Sequence, residues 1–349
     1  IRLTPAPLYL VGDDIEALTE ALQNADVVGA GANVRIAFQP SLNGEVNAEI
    51  ENLTSRPQAG RIKYDGGALD FDIPAKQQIS ATLPGIDDPQ AGKLYDWALA
   101  YKLEQPEQAP VSTQWDMGYF YATKVDGAPD WSEIPVIEMS NLYGPVKAQE
   151  QTPGDLAAQF QVAWDEENLY LRVEGEDDIF NVDDQTFWNS PDAKKNHLHQ
   201  LDGSLEVYLD CAANGRLNNG GFDLDDYRYD FSANNPEGQT GPALVCRFRE
   251  VFLEYAGGVE FPTKEEAAQG IQAEFTRLSE NRYAYTITFA RKYILPMELE
   301  VGSQVGFGLF LNDRMDDGTP GLRGMSLATK KGAHCDANPQ FWPIMVLTD

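Results

Sequence analysis

Apolar and polar residues alternate along most of this chain, and a period of two is typical of β-strands that bury one face. In the first third of the chain the alternating runs are short, and Gly, Pro and Asn separate them. The apolar positions of these runs are Val34, Ile36 and Phe38, then Val46, Ala48 and Ile50, then Ile62, Tyr64, Leu69, Phe71 and Ile73, then Ile79, Ala81 and Leu83, and finally Tyr95, Trp97, Leu99 and Tyr101. Short strands with such turns predict a β-sandwich, and we interpret residues 1–110 as an immunoglobulin-like accessory domain.

Two other segments mark the limits of this domain. Near the start, Ile15, Leu18 and Leu22 fit one face of a short helix, although an irregular lead-in explains them equally well. At the other end, the segment 105–110 is polar and contains Pro, which is typical of a linker. We therefore place the second domain at residues 111–349.

The alternation resumes in the second domain. Residues 156–164 and 169–173 flank a polar turn and predict a hairpin. Further strands are predicted at 117–125, 205–210, 227–231, 244–248, 273–278, 283–289, 305–311 and 342–347. No segment has the pattern of a long helix, so the predicted fold is all-β, with two β-sandwich domains.

Residues 168–210 stand out because two predicted strands enclose a long acidic loop that carries Trp188. Each strand alternates apolar with polar residues, and in the second strand Glu206 and Tyr208 share the polar face. A polar loop with an exposed Trp would suit a binding site. A surface loop around a buried Trp fits the same pattern, and both interpretations remain open.

The charge balance narrows the possible partners. The chain has 26 Lys and Arg against 55 Asp and Glu, a formal charge of −29, which argues against nucleic acid or an anionic membrane as partner. The excess acid suits cation binding, or solubility outside the cell. No apolar run approaches the roughly 18 residues of a membrane span. Because the chain begins at Ile1 and has no signal peptide, we expect a trimmed piece of a larger secreted or cell-surface protein.

Candidate catalytic chemistry is sparse. Cys211, Cys246 and Cys335 have no metal-type spacing and are expected to be buried free thiols. His197 and His199 could share a metal, but no third ligand is obvious. No Ser/His/Asp order, nucleophile elbow or phosphate loop occurs, and carboxylate pairs are unspecific in so acidic a chain. We therefore predict that this region is not an enzyme.

Six short motifs follow one another in the second domain: Lys124-Val-Asp-Gly127 with Asp130-Trp131, Trp164 to Leu171, Glu176-Asp-Asp178, Asp202 to Asp210, Tyr283 to Phe289, and Gly306 to Asp313. In this order they resemble a family 9 carbohydrate-binding module. The resemblance implies a β-sandwich that holds structural calcium and clamps a terminal sugar between two Trp rings.

The same resemblance implies roles for single residues. Trp188 lies where one clamp ring is expected, Glu206 where a carboxylate bonds sugar hydroxyls, and Arg228 in a strand with further polar contacts; Tyr208 shares the face of Glu206. Asp336 takes the second clamp position, so we expect weak binding of mono- and disaccharides. The calcium candidates are Asp126, Asp177, Asp178, Asp183 and Asp202, and the loop 223–226 with Asn218 and Asn219 is a second acidic cluster.

The function predicted from these residues is non-catalytic binding of a poly- or oligosaccharide, within a larger system for polysaccharide degradation. The expected location is extracellular, at the cell surface or periplasmic, without membrane insertion; the oligomeric state stays open. One alternative is a haem-binding electron-transfer sandwich, for which the sensible axial ligands are His197, His199, His334, Met315 and Met325. The other alternative is a structural spacer that binds no ligand.

Overall fold

A computed structural model describes most of the chain. The described residues are 2–3, 26–27, 33–86, 88–106, 108–143, 156–177, 198, 201–213, 225–235, 237–247, 263–314, 322–328 and 339–349.

The chain divides into two compact units. The first unit comprises residues 1–89 and 97–116, and the second comprises 90–96 and 117–349. Gln105, the first residue of the predicted linker, is buried and donates a hydrogen bond from Nε2 to Gln58 Oε1 at 3.2 Å. The domain boundary between residues 110 and 111 stays a prediction.

The first unit is built from short strands, most of which are antiparallel to their neighbours. They are β1 (Arg2–Leu3), β2 (Asp26–Val27), β3 (Val34–Pro40), β4 (Val46–Asn52), β5 (Gln58–Tyr64), β6 (Gly67–Ile73), β7 (Gln78–Leu83) and β8 (Tyr95–Glu104, whose first two residues belong to the second unit). β1 and β2 form a small parallel pair, while β3-β4-β7 and β6-β5-β8 form antiparallel sets. The alternating strands predicted between residues 34 and 101 are confirmed. The immunoglobulin-like assignment stays a prediction, and the segment 14–23 lies outside the described residues.

The second unit contains the remaining elements. The strands are β9 (Val111–Lys124, which begins in the first unit), β10 (Ile137–Met139), β11 (Asn141–Tyr143), β12 (Leu156–Trp164), β13 (Asn168–Asp177), β14 (Leu205–Asp210), β15 (Asp226–Ser232), β16 (Gly241–Pro242), β17 (Leu244–Arg247), β18 (Gln272–Arg277), β19 (Arg282–Ala290), β20 (Gln304–Arg314), β21 (Leu322–Ser326) and β22 (Ile344–Thr348). Among the described residues of this unit, one short helix, α1, covers Lys264–Gly270, and 3-10 turns lie at Arg291–Tyr293 and Pro339–Phe341.

These strands form a β-sandwich. One sheet has the antiparallel order β10-β12-β13-β19-β18-β16, and the predicted hairpin is its β12–β13 pair. The other has the order β11-β21-β20-β14-β15-β17. β22 pairs with the first residues of β20 and lies parallel to β9.

The main apolar core lies between the two sheets. It receives alternate residues of each strand, for example Leu171 and Val173 from β13 and Val207 from β14. Trp164 is fully buried there, and its indole N–H lies 3.1 Å from the carbonyl oxygen of Ala122 and 3.0 Å from that of Thr348. The ring therefore links β12 to both β9 and β22.

Strand β14 is buried on both faces, and this corrects an expectation from the sequence. The alternation of residues 205–210 predicts a half-buried strand, but all six residues are buried. The polar face of β14 is thus an internal surface.

Packing on β13 is tight at Gly175. A Cβ there would lie 2.6 Å from Cζ and 2.7 Å from the hydroxyl of Tyr283, the cross-strand partner on β19. We expect Gly175→Ala to lower the free energy of unfolding by about 1–3 kcal/mol, because the core must shift to admit the methyl group. Gly241→Ala is the matched control, since nothing lies within 4 Å of the added Cβ. Urea denaturation of both variants measures the difference, and equal stabilities would contradict it.

Candidate ligand site and metal cluster

The candidate ligand site lies on the sheet face opposite the apolar core. Strand register places Phe310, Glu206 and Asp230 in one row across β20, β14 and β15. Tyr208 and Arg228 form the next row. We call this surface the polar face; it consists of Glu206, Tyr208, Arg228, Asp230, Phe310 and Asn312.

Glu206 is the centre of the hydrogen bonding. Its Oε1 accepts a bond from Asn312 Nδ2 at 2.9 Å, and its Oε2 lies 3.1 Å from Arg228 Nη2. The hydroxyl of Tyr208 also donates to Oε2. The Asn312 amide is held at a second point, because Nδ2 lies 3.3 Å from the carbonyl oxygen of Ser204. The carboxylate is therefore oriented by side chains from three strands, β14, β15 and β20.

Arg228 joins two carboxylates. Its Nε lies 2.8 Å from Asp230 Oδ1 and its Nη2 lies 3.3 Å from Asp230 Oδ2, while Nη2 also reaches Glu206. The guanidinium carbon lies 5.6 Å from the centre of the Tyr208 ring, within the range of a cation–π contact. Burial alone would lower the pKa of Arg228, but Asp230 and Glu206 raise it above the ordinary value.

Burial is the main cause of a raised proton affinity at Glu206. Burial, with a further contribution from the charge of Asp230, raises the pKa of Glu206 to about 7, although Arg228 opposes the shift. Protonation of Glu206 near neutral pH would turn a hydrogen-bond acceptor into a donor.

Aromatic rings line the same face. The ring centres of Tyr208 and Trp342 are 5.3 Å apart, and those of Phe310 and Tyr143 are 5.7 Å apart in an edge-to-face contact. Gly324 leaves room for Phe310, since a Cβ there would lie 2.7 Å from the Phe310 ring. Trp342 lies two residues before the start of β22 and is fully buried, so it is part of the aromatic packing.

The structure corrects the expected exposure of the site. Glu206, Tyr208 and Arg228 lie together in the structure, but their exposed fractions are only 1%, 0% and 5%. A satisfied network allows these polar groups to be buried. The strand alternation could not show this, because Asp230 and Asn312, which complete the network, are distant in sequence.

Several predicted residues fall outside the described residues: Trp188, Asp178, Asp183, Asp336, the three histidines and Met315. Their predicted roles stay predictions. Of the haem-ligand candidates, the structure places Met325, which is buried in the apolar core. Cys211 and Cys246 are buried free thiols, as expected, and Cys335 is outside the described residues.

Three carboxylates converge at one end of the sandwich. Ligand oxygens of Asp177, Asp202 and Asp313 lie within 4.8 Å of one another, and each residue is only 1% exposed. Asp177 ends β13, Asp202 precedes β14, and Asp313 lies in β20, so the cluster joins the two sheets. Burial, followed by the charges of Asp177 and Asp202, raises the pKa of the nearby Tyr283 well above its ordinary value.

This cluster suits a hard cation, because Ca²⁺ prefers carboxylate and carbonyl oxygens. Asp177 and Asp202 were predicted as ligands, whereas Asp313 was missed, although it ends the sequence motif Gly306 to Asp313. Asp126 is exposed in the turn after β9 and does not belong to the group. Of the second acidic cluster, Asp225 and Asp226 are buried near Cys211, while Asn218 and Asn219 lie outside the described residues.

Two solved structures of a family 9 carbohydrate-binding module from Caldicellulosiruptor kristjanssonii are similar to this chain. One, in complex with cellotriose, is 16% identical with a TM-score of 0.43 and covers 65% of this chain and 92% of that chain. The other, in complex with glucose, is 17% identical with a TM-score of 0.42 and covers 66% of this chain and 95% of that chain.

Among curated proteins, no sequence matches this chain. The family described as carbohydrate family 9 binding domain-like matches residues 124–349, more than half of the chain. The matched range contains all six sequence motifs. The chain therefore belongs to the carbohydrate family 9 binding domain-like proteins.

Proposed function

We propose that this chain binds a poly- or oligosaccharide without transforming it, at the polar face and the loop that carries Trp188. The observation that carries this proposal is the joint arrangement of Glu206, Arg228 and Asn312 beside aromatic rings, within a domain of this family. Carboxylate, guanidinium and amide groups are suited to hydroxyl recognition, and aromatic rings are suited to the C–H faces of sugars.

The polar groups are arranged before any ligand arrives. Their burial means that a sugar reaches Glu206 only when the polar face is uncovered. In this proposal Trp188 supplies the stacking contact. Pre-arranged polar groups lower the entropy cost of binding.

We further propose a structural calcium ion held by Asp177, Asp202 and Asp313. The ion would supply positive charge where three buried carboxylates meet and would hold the ends of β13, β14 and β20 together. Its role is to stiffen the scaffold of the site.

The proposed setting is the outside of the cell, the cell surface or the periplasm, as part of a polysaccharide-active system with an immunoglobulin-like domain ahead of this one. The strongly negative charge supports a partner that is not nucleic acid. Within the described residues, no helix is long and apolar enough to cross a membrane.

A panel of neutral and acidic oligosaccharides, including cellotriose, tests the proposal in the presence and absence of calcium. We expect Trp188→Ala to abolish binding with little change in stability, because a stacking platform contributes little to the core. Trp342→Ala is the contrasting variant: it removes a fully buried ring and should lower the free energy of unfolding by about 3–5 kcal/mol. A parent protein that binds no glycan, or tight disaccharide binding that survives Trp188→Ala, would overturn the proposed site.

A further inference from the structure

We propose that Asp230 is a positioning residue, which holds Arg228 so that the guanidinium touches Glu206 at one point instead of two. This inference rests on the proposed function, since it concerns how Glu206 is kept ready for a sugar hydroxyl.

Arg228 contacts Asp230 through two of its nitrogen atoms. The side of the guanidinium formed by Nε and Nη2 faces both oxygens of Asp230, at 2.8 and 3.3 Å. This two-point contact fixes the plane of the group as well as its position. Towards Glu206, Arg228 presents Nη2, which lies 3.1 Å from Oε2.

Glu206 and Asp230 compete for the guanidinium of Arg228. Glu206 and Asp230 are directly opposite each other in the β14–β15 register, and Arg228 is the cross-strand partner of Tyr208. Either carboxylate could accept the two-point contact. Because Asp230 accepts it, the Oε1 atom of Glu206 is not taken by Arg228 and has Asn312 as its donor.

The position of Arg228 determines which acceptor positions of the Glu206 carboxylate remain available. A carboxylate offers about four acceptor positions, two on each oxygen. A two-point contact with Arg228 would occupy both oxygens and draw the carboxylate towards β15. The contact through Oε2 leaves an acceptor position on Oε1 beside Asn312 for a ligand hydroxyl, which reaches this buried atom only when the polar face is uncovered.

The need for a counter-charge to Arg228 does not explain why a carboxylate is buried at position 230. Glu206 already gives Arg228 a buried counter-charge at 3.1 Å, so a second carboxylate is not needed for that purpose. Asp230 is itself fully buried, which makes its carboxylate costly to keep. Its distinctive contribution is the direction in which Arg228 points.

Asp230→Asn tests this role, because the amide keeps the shape of the side chain but places an NH₂ group against a guanidinium nitrogen. We expect about a ten-fold or greater rise in Kd for the tightest-binding oligosaccharide of the panel, measured well below the melting temperature. A crystal structure of the variant should show Arg228 contacting both oxygens of Glu206. Glu174→Gln is the matched control, since Glu174 accepts from Arg172 at 2.7 and 3.1 Å on the other sheet and should leave Kd unchanged.

The outcomes separate this inference from the proposed function. An Asp230→Asn variant that fails to fold, keeps the parental Kd, or leaves Arg228 in place would overturn the positioning role. If the parent protein binds no glycan of the panel, the proposed function fails, and the position of Arg228 in the variant still decides the role of Asp230.

Discussion

Replacing Arg228 with Met is expected to lower the free energy of unfolding by about 3–5 kcal/mol at neutral pH. Arg228 is ion-paired with both Glu206 and Asp230, and all three side chains are nearly or fully buried. Removing one member of a buried pair leaves charge in a medium that solvates it poorly, and this cost is larger than that of any surface pair. Thermal or urea denaturation measures the loss.

The free energy of unfolding that Arg228→Met loses should depend on pH. The pKa of Glu206 is about 7 in the folded protein against an ordinary value of 4.5, so the folded state holds that proton more tightly than the unfolded chain. Stability from this group is complete below about pH 4.5 and is lost as the pH rises through about 7. Without Arg228 the ionised form becomes costlier still, so the substitution should cost more at pH 8 than at pH 5.

Two further variants define the origin of this effect. Glu206→Gln in the parent protein should remove the loss of stability between about pH 4.5 and 7 that Glu206 contributes. Arg282→Met removes an arginine whose side chain is 48% exposed and should change stability little. Equal losses from Arg228→Met at pH 5 and pH 8 would contradict the assignment to buried carboxylates.

Calcium is expected to raise the melting temperature of the parent protein. A ligand that binds only the folded state stabilises it by mass action, by about 4 kcal/mol when its free concentration is 1,000 times its Kd. Asp313→Asn removes one of three converging carboxylates and should weaken this response. The measurement is thermal denaturation with calcium and after treatment with a chelator.

Asp126→Asn is the control for the calcium response, because Asp126 is exposed and outside the cluster of three. It should leave the response unchanged. The calcium site would be refuted if the chelator left the melting curve of the parent unaltered and metal analysis of untreated protein detected no calcium.

Strand positions were readable from the sequence where one face of a strand meets the core. The β12–β13 hairpin is an example: its apolar residues alternate, and its polar turn lies between Trp164 and Leu169. In the first unit, β3 to β8 follow the same rule, because side chains of a strand point alternately to its two sides. These predictions rest on local geometry alone.

The burial of the polar face could not be read in the same way. A Glu between apolar residues normally indicates a solvent-facing side, and Glu206 is hidden only because Arg228, Tyr208 and Asn312 satisfy it. Likewise, Asp313 joins Asp202 through the β14–β20 register, which depends on residues far apart in the chain.

The short helix α1 was missed for a different reason. Thr263 and Glu266 form a capping box, which is a recognisable start signal. Only seven residues follow, however, and they contain little of the apolar spacing that identifies longer helices.

The contact of Trp164 with both β9 and β22 has a consequence for synthesis in the cell. The indole N–H reaches a carbonyl 184 positions later in the chain, and β22 lies parallel to β9, the earliest long strand of its unit. The sandwich therefore cannot be completed until residues 344–348 have left the ribosome. Until then, the ladder edge of β9 that pairs with β22 lacks its partner, and an unpaired strand edge can pair with other chains. A nascent chain of this kind would benefit from a chaperone until its last strand arrives.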